Sequence, residues 1–278
     1  MVKGKDYPYL VRNYIRCVNL ISTYKSKGNL NLEDKDWLTP SEILLLRDTI
    51  TEAKQNQSYD PPKNGKVRGY LDYITFETDN GVSEETSYIP FSRVDNSNAD
   101  SIASKITGMI GKKLNNKSLQ ALKYSIDELL ANVIEHSQYK NSFIMLQNYP
   151  SKKILEFSLM DDGISIPGNF RLHGISFDDD CDSLRKAING VSTKDKNGER
   201  GFGLHSVFQL LTNGMQGEGT LISGRGILSK RFNENSGNET KLFCYSSDSD
   251  EVTVFKGCYV AFRMKTNLSP DLYSYLEY

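Results

Sequence analysis

The chain has 278 residues, room for two domains, and its 34 basic and 35 acidic side chains leave a formal charge of -1. That balance excludes a global field that would select nucleic acid or an anionic membrane. No run of about eighteen apolar residues occurs, and the N-terminal MVKGKDYPYLVRNYIRC is charged where a signal peptide needs an apolar centre, so a soluble cytoplasmic protein is expected.

Asp6 to Thr23 mixes aromatic and aliphatic residues with Arg12 and Arg16, and fits either a helix or a strand-rich start. Leu30 and Leu32 alternate as in a short strand, and Thr39-Pro40-Ser41-Glu42 then opens a helix whose apolar face is Ile43, Leu44, Leu45, Leu46, Ile50 and Ala53. Gln55 to Val67 is polar with Pro61, Pro62 and Gly65, a surface connection. Tyr70 to Thr78 (YLDYITFET) reads as a strand or as the end of a helix leading into one. Tyr88 to Phe91 is a short apolar entry to a second domain, so the expected units are 1-95 and 96-278.

In the second unit, Ala99 to Leu114 has a helical period with Ile102, Ile106, Met109 and Ile110 inward. Ser118 to Gln138 follows as a long helix, with an apolar stripe of Leu119, Leu122, Ile126, Leu129, Leu130 and Val133. Ser142 to Gln147 and Lys153 to Met160 alternate as paired strands around a turn at Tyr149-Pro150-Ser151. Helices are expected at Asp182 to Ile188 and Leu204 to Leu211, and further strands at Leu221-Ile222, Ile227-Leu228, Lys241 to Tyr245, Val252 to Phe255 and Cys258 to Met264. The fold class is α+β, a sheet with helices on one face. Cys17, Cys181, Cys244 and Cys258 lack CxxC spacing and read as reduced packing cysteines, and three histidines are too few for a histidine-rich metal site.

Three motifs carry chemistry. On the long helix, Glu128 and Asn132 stand one turn apart on a polar row with Glu135 and His136, a spacing that suits a proton acceptor beside a magnesium-binding amide and equally describes an exposed helix face. Asp161 ends a strand and is followed by Gly163, so a carboxylate can reach a planar ligand that the glycine lets the backbone approach; Asp-Asp-Gly is also a common turn. Gly201-Phe202-Gly203-Leu204 runs into a helix, where converging N-H groups suit phosphate, although the GK[ST] ending of a P-loop is missing. Lys194, just before it, sits in a polar stretch that reads as a lid or as a solvated loop.

In this order the three motifs resemble the GHKL, or Bergerat-fold, ATPase superfamily over about Asp100 to Lys265. The resemblance implies a C-terminal Bergerat-fold α/β sandwich with a mixed, mostly antiparallel sheet, binding ATP and Mg2+. It makes Glu128 the catalytic base, Asn132 the magnesium ligand, Asp161 and Gly163 the adenine contacts, and Gly201, Gly203 and Leu204, with Lys194, the cover over the phosphates. Ser165 stands where the family usually has a second glycine after DxG, and Cys258 where it has a threonine. Leu30 to Lys54 resembles the central strand and helix of STAS-type domains, with Pro40 at the phosphorylated serine's position and Thr39 and Ser41 beside it. The expected activity is a slow ATPase that switches a protein partner, STAS-like or otherwise regulatory, with a homodimer possible. The alternatives are a serine/threonine kinase of the anti-sigma-factor type and a nucleotide-binding module without chemistry.

Overall fold

The structure, a computed structural model, describes residues 7–75, 87–193, 203–233, 235, 237–244 and 254–275. Helix α1 (Tyr9–Lys27) resolves the open reading of the N-terminus and ends at Gly28, whose φ of 71° is the left-handed conformation that glycine adopts without strain. β1 (Leu30–Asn31) follows, then α2 (Pro40–Gln55), whose N-terminus is set by a capping box: Thr39 caps and Glu42 returns a hydrogen bond to the Thr39 N-H. β2 (Tyr59–Asp60) pairs in parallel with β1 over two residues. α3 (Gly65–Thr75) makes Tyr70 to Thr75 the end of a helix, one of the two readings of that stretch; residues 76–78 lie outside the described residues. Val67 and Leu71, four apart and both buried, give it a helical face, so packing overrides β-propensity there.

β3 (Tyr88–Arg93) is an edge strand, followed by α4 (Ala99–Gly111) and α5 (Asn116–His136). Asn115 caps α5 by accepting from Ser118 N at 2.9 Å. Leu122, Ile126, Leu129, Leu130 and Val133 are buried along one side of α5, each contributing about 1.5–3 kcal/mol of apolar burial. β4 (Ser142–Tyr149) and β5 (Ile154–Asp161) form a hairpin, and the short helices α6 (Ile166–Leu172), α7 (Asp180–Ile188) and α8 (Gly203–Gln209) follow. α8 runs on through a wider turn at Leu210–Gly214 into β6 (Glu218–Gly224), β7 (Gly226–Asn233), β8 (Gly237–Cys244) and β9 (Phe255–Lys265).

The seven strands β3 to β9 form one sheet in the order β3-β4-β5-β9-β6-β7-β8, and every described pairing in it is antiparallel. Helices cover both faces, not the one expected. The cause is legible in the central strands: Leu155, Phe157 and Leu159 of β5 and Val260 and Phe262 of β9 join α4, α5, α7 and α8 in one core. The alternate residues Tyr259 and Ala261, with Met145, Ile222 and Ile227, join α1, α2 and α3 in another. Residues 9–75 therefore form a layer on the sheet, and the sheet's edge strand β3 precedes residue 96.

Polar contacts fix that layer. Glu156 of β5 is fully buried beneath the start of α2, accepting from Ser41 Oγ at 2.7 Å and from Arg263 of β9 at 2.9 Å. The Tyr259 hydroxyl donates to the Ser41 carbonyl at 2.9 Å. Glu218 of β6 accepts from the N-H groups of Tyr9 and Leu10 and so caps α1 from the sheet. At one corner Trp37 stacks on Tyr70 of α3, ring centres 4.7 Å apart, and its indole N-H donates to the Tyr149 hydroxyl at 3.3 Å. Among the described residues no helix is long and apolar enough to cross a membrane.

Candidate functional site

Glu128 and Asn132 lie on the face of α5 turned toward the start of α8. A Cβ on Gly203 would sit 2.3 Å from Glu128 Oε2 and 3.8 Å from Asn132 Nδ2, so the first residue of α8 presses its backbone against both side chains. A side chain at 203 would have to displace the Glu128 carboxylate. Asn132 Nδ2 is buried and has no hydrogen-bond partner among the described residues. Because an amide's nitrogen and oxygen exchange places by a flip, that buried end offers either a donor or an acceptor to whatever lies against it. This is the chemistry a phosphate oxygen or a hydrated magnesium ion uses, so the residues present fit the group.

Asp161 is buried at the end of β5, and its Oδ1 accepts from Gly163 N at 2.9 Å. Burial pushes its carboxyl up to about 7; the neighbouring Asp162 adds to the rise, while the N-H groups of Gly163 and Cys258 oppose it. The loop that follows closes on α5: Ile164 N donates to the Ser137 carbonyl, and a Cβ on Gly163 would lie 2.0 Å from that oxygen. Gly163 is thus required by contact with the end of α5. Asp162 accepts from Lys140 N, Asn141 N and Asn141 Nδ2 at 2.8–2.9 Å; burial is the largest single influence on its carboxyl and raises it, but these bonds together outweigh it and lower the pKa.

Ser165 has a φ of -67° and caps α6, accepting from Gly168 N at 3.2 Å. The backbone there is one that any residue adopts, so the departure from glycine costs the turn nothing. The short α6 was missed in the sequence because Ser165-Ile166-Pro167 continues what looks like a turn; serine at the cap and proline inside the first turn were its available signals. The Ser137 carbonyl was likewise not singled out, and only its place at the end of α5 hinted at it.

Leu204 is half-buried in the first turn of α8. Lys194 and Gly201 lie outside the described residues, as does the His136 side chain. The structure therefore brings Glu128, Asn132 and Gly203 together, and ties the Asp161-Gly163 loop to the C-terminal end of the same α5. A cavity of about 340 Å³ opens elsewhere, at the strand ends on the α2 side, lined by Arg47, Phe143, Met160, Phe255, Lys256 and Asp161 among others. Of the expected site residues only Asp161 lines it, so the cavity is not the space beside Glu128.

Thr39 and Ser41, the hydroxyls beside Pro40, are both buried and hydrogen-bonded within the α2 network, closed to a kinase in this packing. No protein-family model, curated protein or solved structure matches the chain.

Proposed function

We propose that the chain binds Mg-ATP between α5, the Asp161 loop and the start of α8, and hydrolyses it slowly as a nucleotide-dependent switch acting on a protein partner. What carries the reading is the contact of Gly203 with Glu128 and Asn132, two elements far apart in the chain meeting through a carboxylate, a buried amide end and a bare glycine backbone. In this reading Glu128 accepts the proton of the attacking water, and Asn132 would hold magnesium. Magnesium, when bound, screens the phosphate charge. Asp161 accepts from the adenine amine, and Gly203 and Leu204 lie over the phosphates. Positioning and electrostatics then supply most of the rate enhancement, which suits a switch with low turnover.

The test is magnesium-dependent binding of a fluorescent ATP analogue together with phosphate release, for wild type, Glu128→Ala and Asp161→Asn. The expected pattern is binding and slow hydrolysis by wild type, binding without hydrolysis by Glu128→Ala, and no binding by Asp161→Asn. Label transferred from γ-labelled ATP to an added STAS-like protein would replace hydrolysis with phosphotransfer. Absence of adenine nucleotide binding in wild type would remove the whole reading.

A further inference from the structure

Two cysteines that the sequence keeps far apart meet at the edge of the sheet. Cys181 lies in the first turn of α7 and is buried; Cys244 is the last residue of β8 and is exposed. Asp179, the N-cap of α7, joins them, and the two sulfurs and a carboxylate oxygen of Asp179 all lie within 4.8 Å of one another. Among the described residues this is the one group of three such donors in reach of a single ion.

We propose that Asp179, Cys181 and Cys244 form a metal site for a thiophilic divalent cation, zinc by the chemistry of its donors. Two sulfurs and one carboxylate are a donor set for zinc rather than for magnesium or calcium, which take oxygen alone. Neighbouring contacts orient the donors. Asp179 Oδ1 accepts from Asp182 N at 2.7 Å, which fixes the carboxylate at the helix start. In the metal-free chain the Cys181 thiol donates to the Phe243 carbonyl at 2.9 Å, which places its sulfur beside the residue that precedes Cys244; that bond is given up when the proton leaves.

Charge favours uptake as well. Asp178, Asp179, Asp180 and Asp182 crowd the start of α7; Asp182 is paired with Arg185 and Lys186 and Asp180 with Arg171. On binding, two S-H bonds lose their protons to solvent, two sulfur-metal bonds and one carboxylate-metal bond form, and no electron is transferred. Cys244 and Asp179 are exposed, so the fourth tetrahedral position faces water. The ion would pin the edge strand β8 to α7.

The test uses the full chain, reduced, stripped with a chelator and titrated with Co2+ as a spectroscopic stand-in for zinc. The expected result is uptake of one ion per chain with a sulfur-to-cobalt charge-transfer band and strong visible bands, all displaced by Zn2+. Cys181→Ser and Cys244→Ser each weaken or remove the charge-transfer band, and Asp179→Asn keeps it with weaker uptake. Far-UV circular dichroism of the metal-free variants establishes that each is folded, and a variant that is not folded is replaced by Cys→Ala at the same position. A reduced wild type without the band, a band unchanged in Cys244→Ser, or a Cys181–Cys244 disulfide whose reduction restores no uptake would each overturn the site.

Discussion

A Cβ at position 203 meets an oxygen of Glu128 before it meets anything else, and that oxygen belongs to the end of a flexible side chain. Gly203→Ala is therefore expected to leave the fold intact while swinging Glu128 out of place. Turnover should fall by up to the ~10²–10⁴-fold that a general base contributes, with nucleotide binding affected less. Unchanged phosphate release in Gly203→Ala would separate Glu128 from the chemistry. At the neighbouring loop the quantity to follow is a proton. With Asp161 pushed up to about 7, the folded chain keeps a proton that the unfolded chain has released from about pH 4 upward. More protons bound to the folded state means that this group's contribution to stability is present below pH 4 and is lost as pH rises toward 7. The wild-type melting temperature should accordingly fall, relative to Asp161→Asn, across that window. Adenine nucleotide affinity should rise as pH passes 7, because the ionised carboxylate is the stronger acceptor for the amine. Parallel melting profiles for the two proteins would contradict the buried, neutral Asp161.

The elements differ in how much of themselves their sequence displays. α5 was readable almost to its ends because six apolar residues recur at helical spacing, and β4 and β5 were readable because β-prone apolar residues crowd both around the turn at Pro150, although burial on both faces blurs their alternation. α3 was readable only as one of two alternatives, since Tyr70, Tyr73 and Ile74 carry β-propensity and the burial of Val67 and Leu71 decides for the helix. The meeting of Glu128 and Gly203 was suggested by motif order alone, whereas the meeting of Cys181 and Cys244 needed the sheet's strand order, which no local pattern encodes. The join between α2 and the sheet is a second feature of this kind. Arg263 is the cation on the fully buried Glu156, so Arg263→Met should lower the unfolding free energy by about 3–5 kcal/mol, as expected for a stranded buried charge. Replacing Glu156 by Leu in the same chain should recover much of the loss. Urea unfolding of the two variants measures both, and a loss under about 1 kcal/mol for the single variant would show that the pair is not needed.

For the whole molecule, the decisive fact is that the sheet is apolar on both sides. Expecting helices on one face came from treating the first 95 residues as a unit of their own, and composition offers no sign that Met145, Ile222, Ile227, Tyr259 and Ala261 face α1, α2 and α3 instead of water. A fragment of residues 96–278 would expose that face and would leave β4 as an unpaired edge without β3. It is expected to aggregate, as read by light scattering, and a monodisperse, cooperatively melting fragment would mean that the two layers fold independently. The stacking of Trp37 on Tyr70 has an optical consequence. It is the chain's one tryptophan, and it rests where α3 meets the end of β4, on the side of the sheet away from Glu128. Its emission is thus a built-in gauge of that corner alone: lifting the helical layer would shift the spectrum to the red, while events beside α8 would pass unseen.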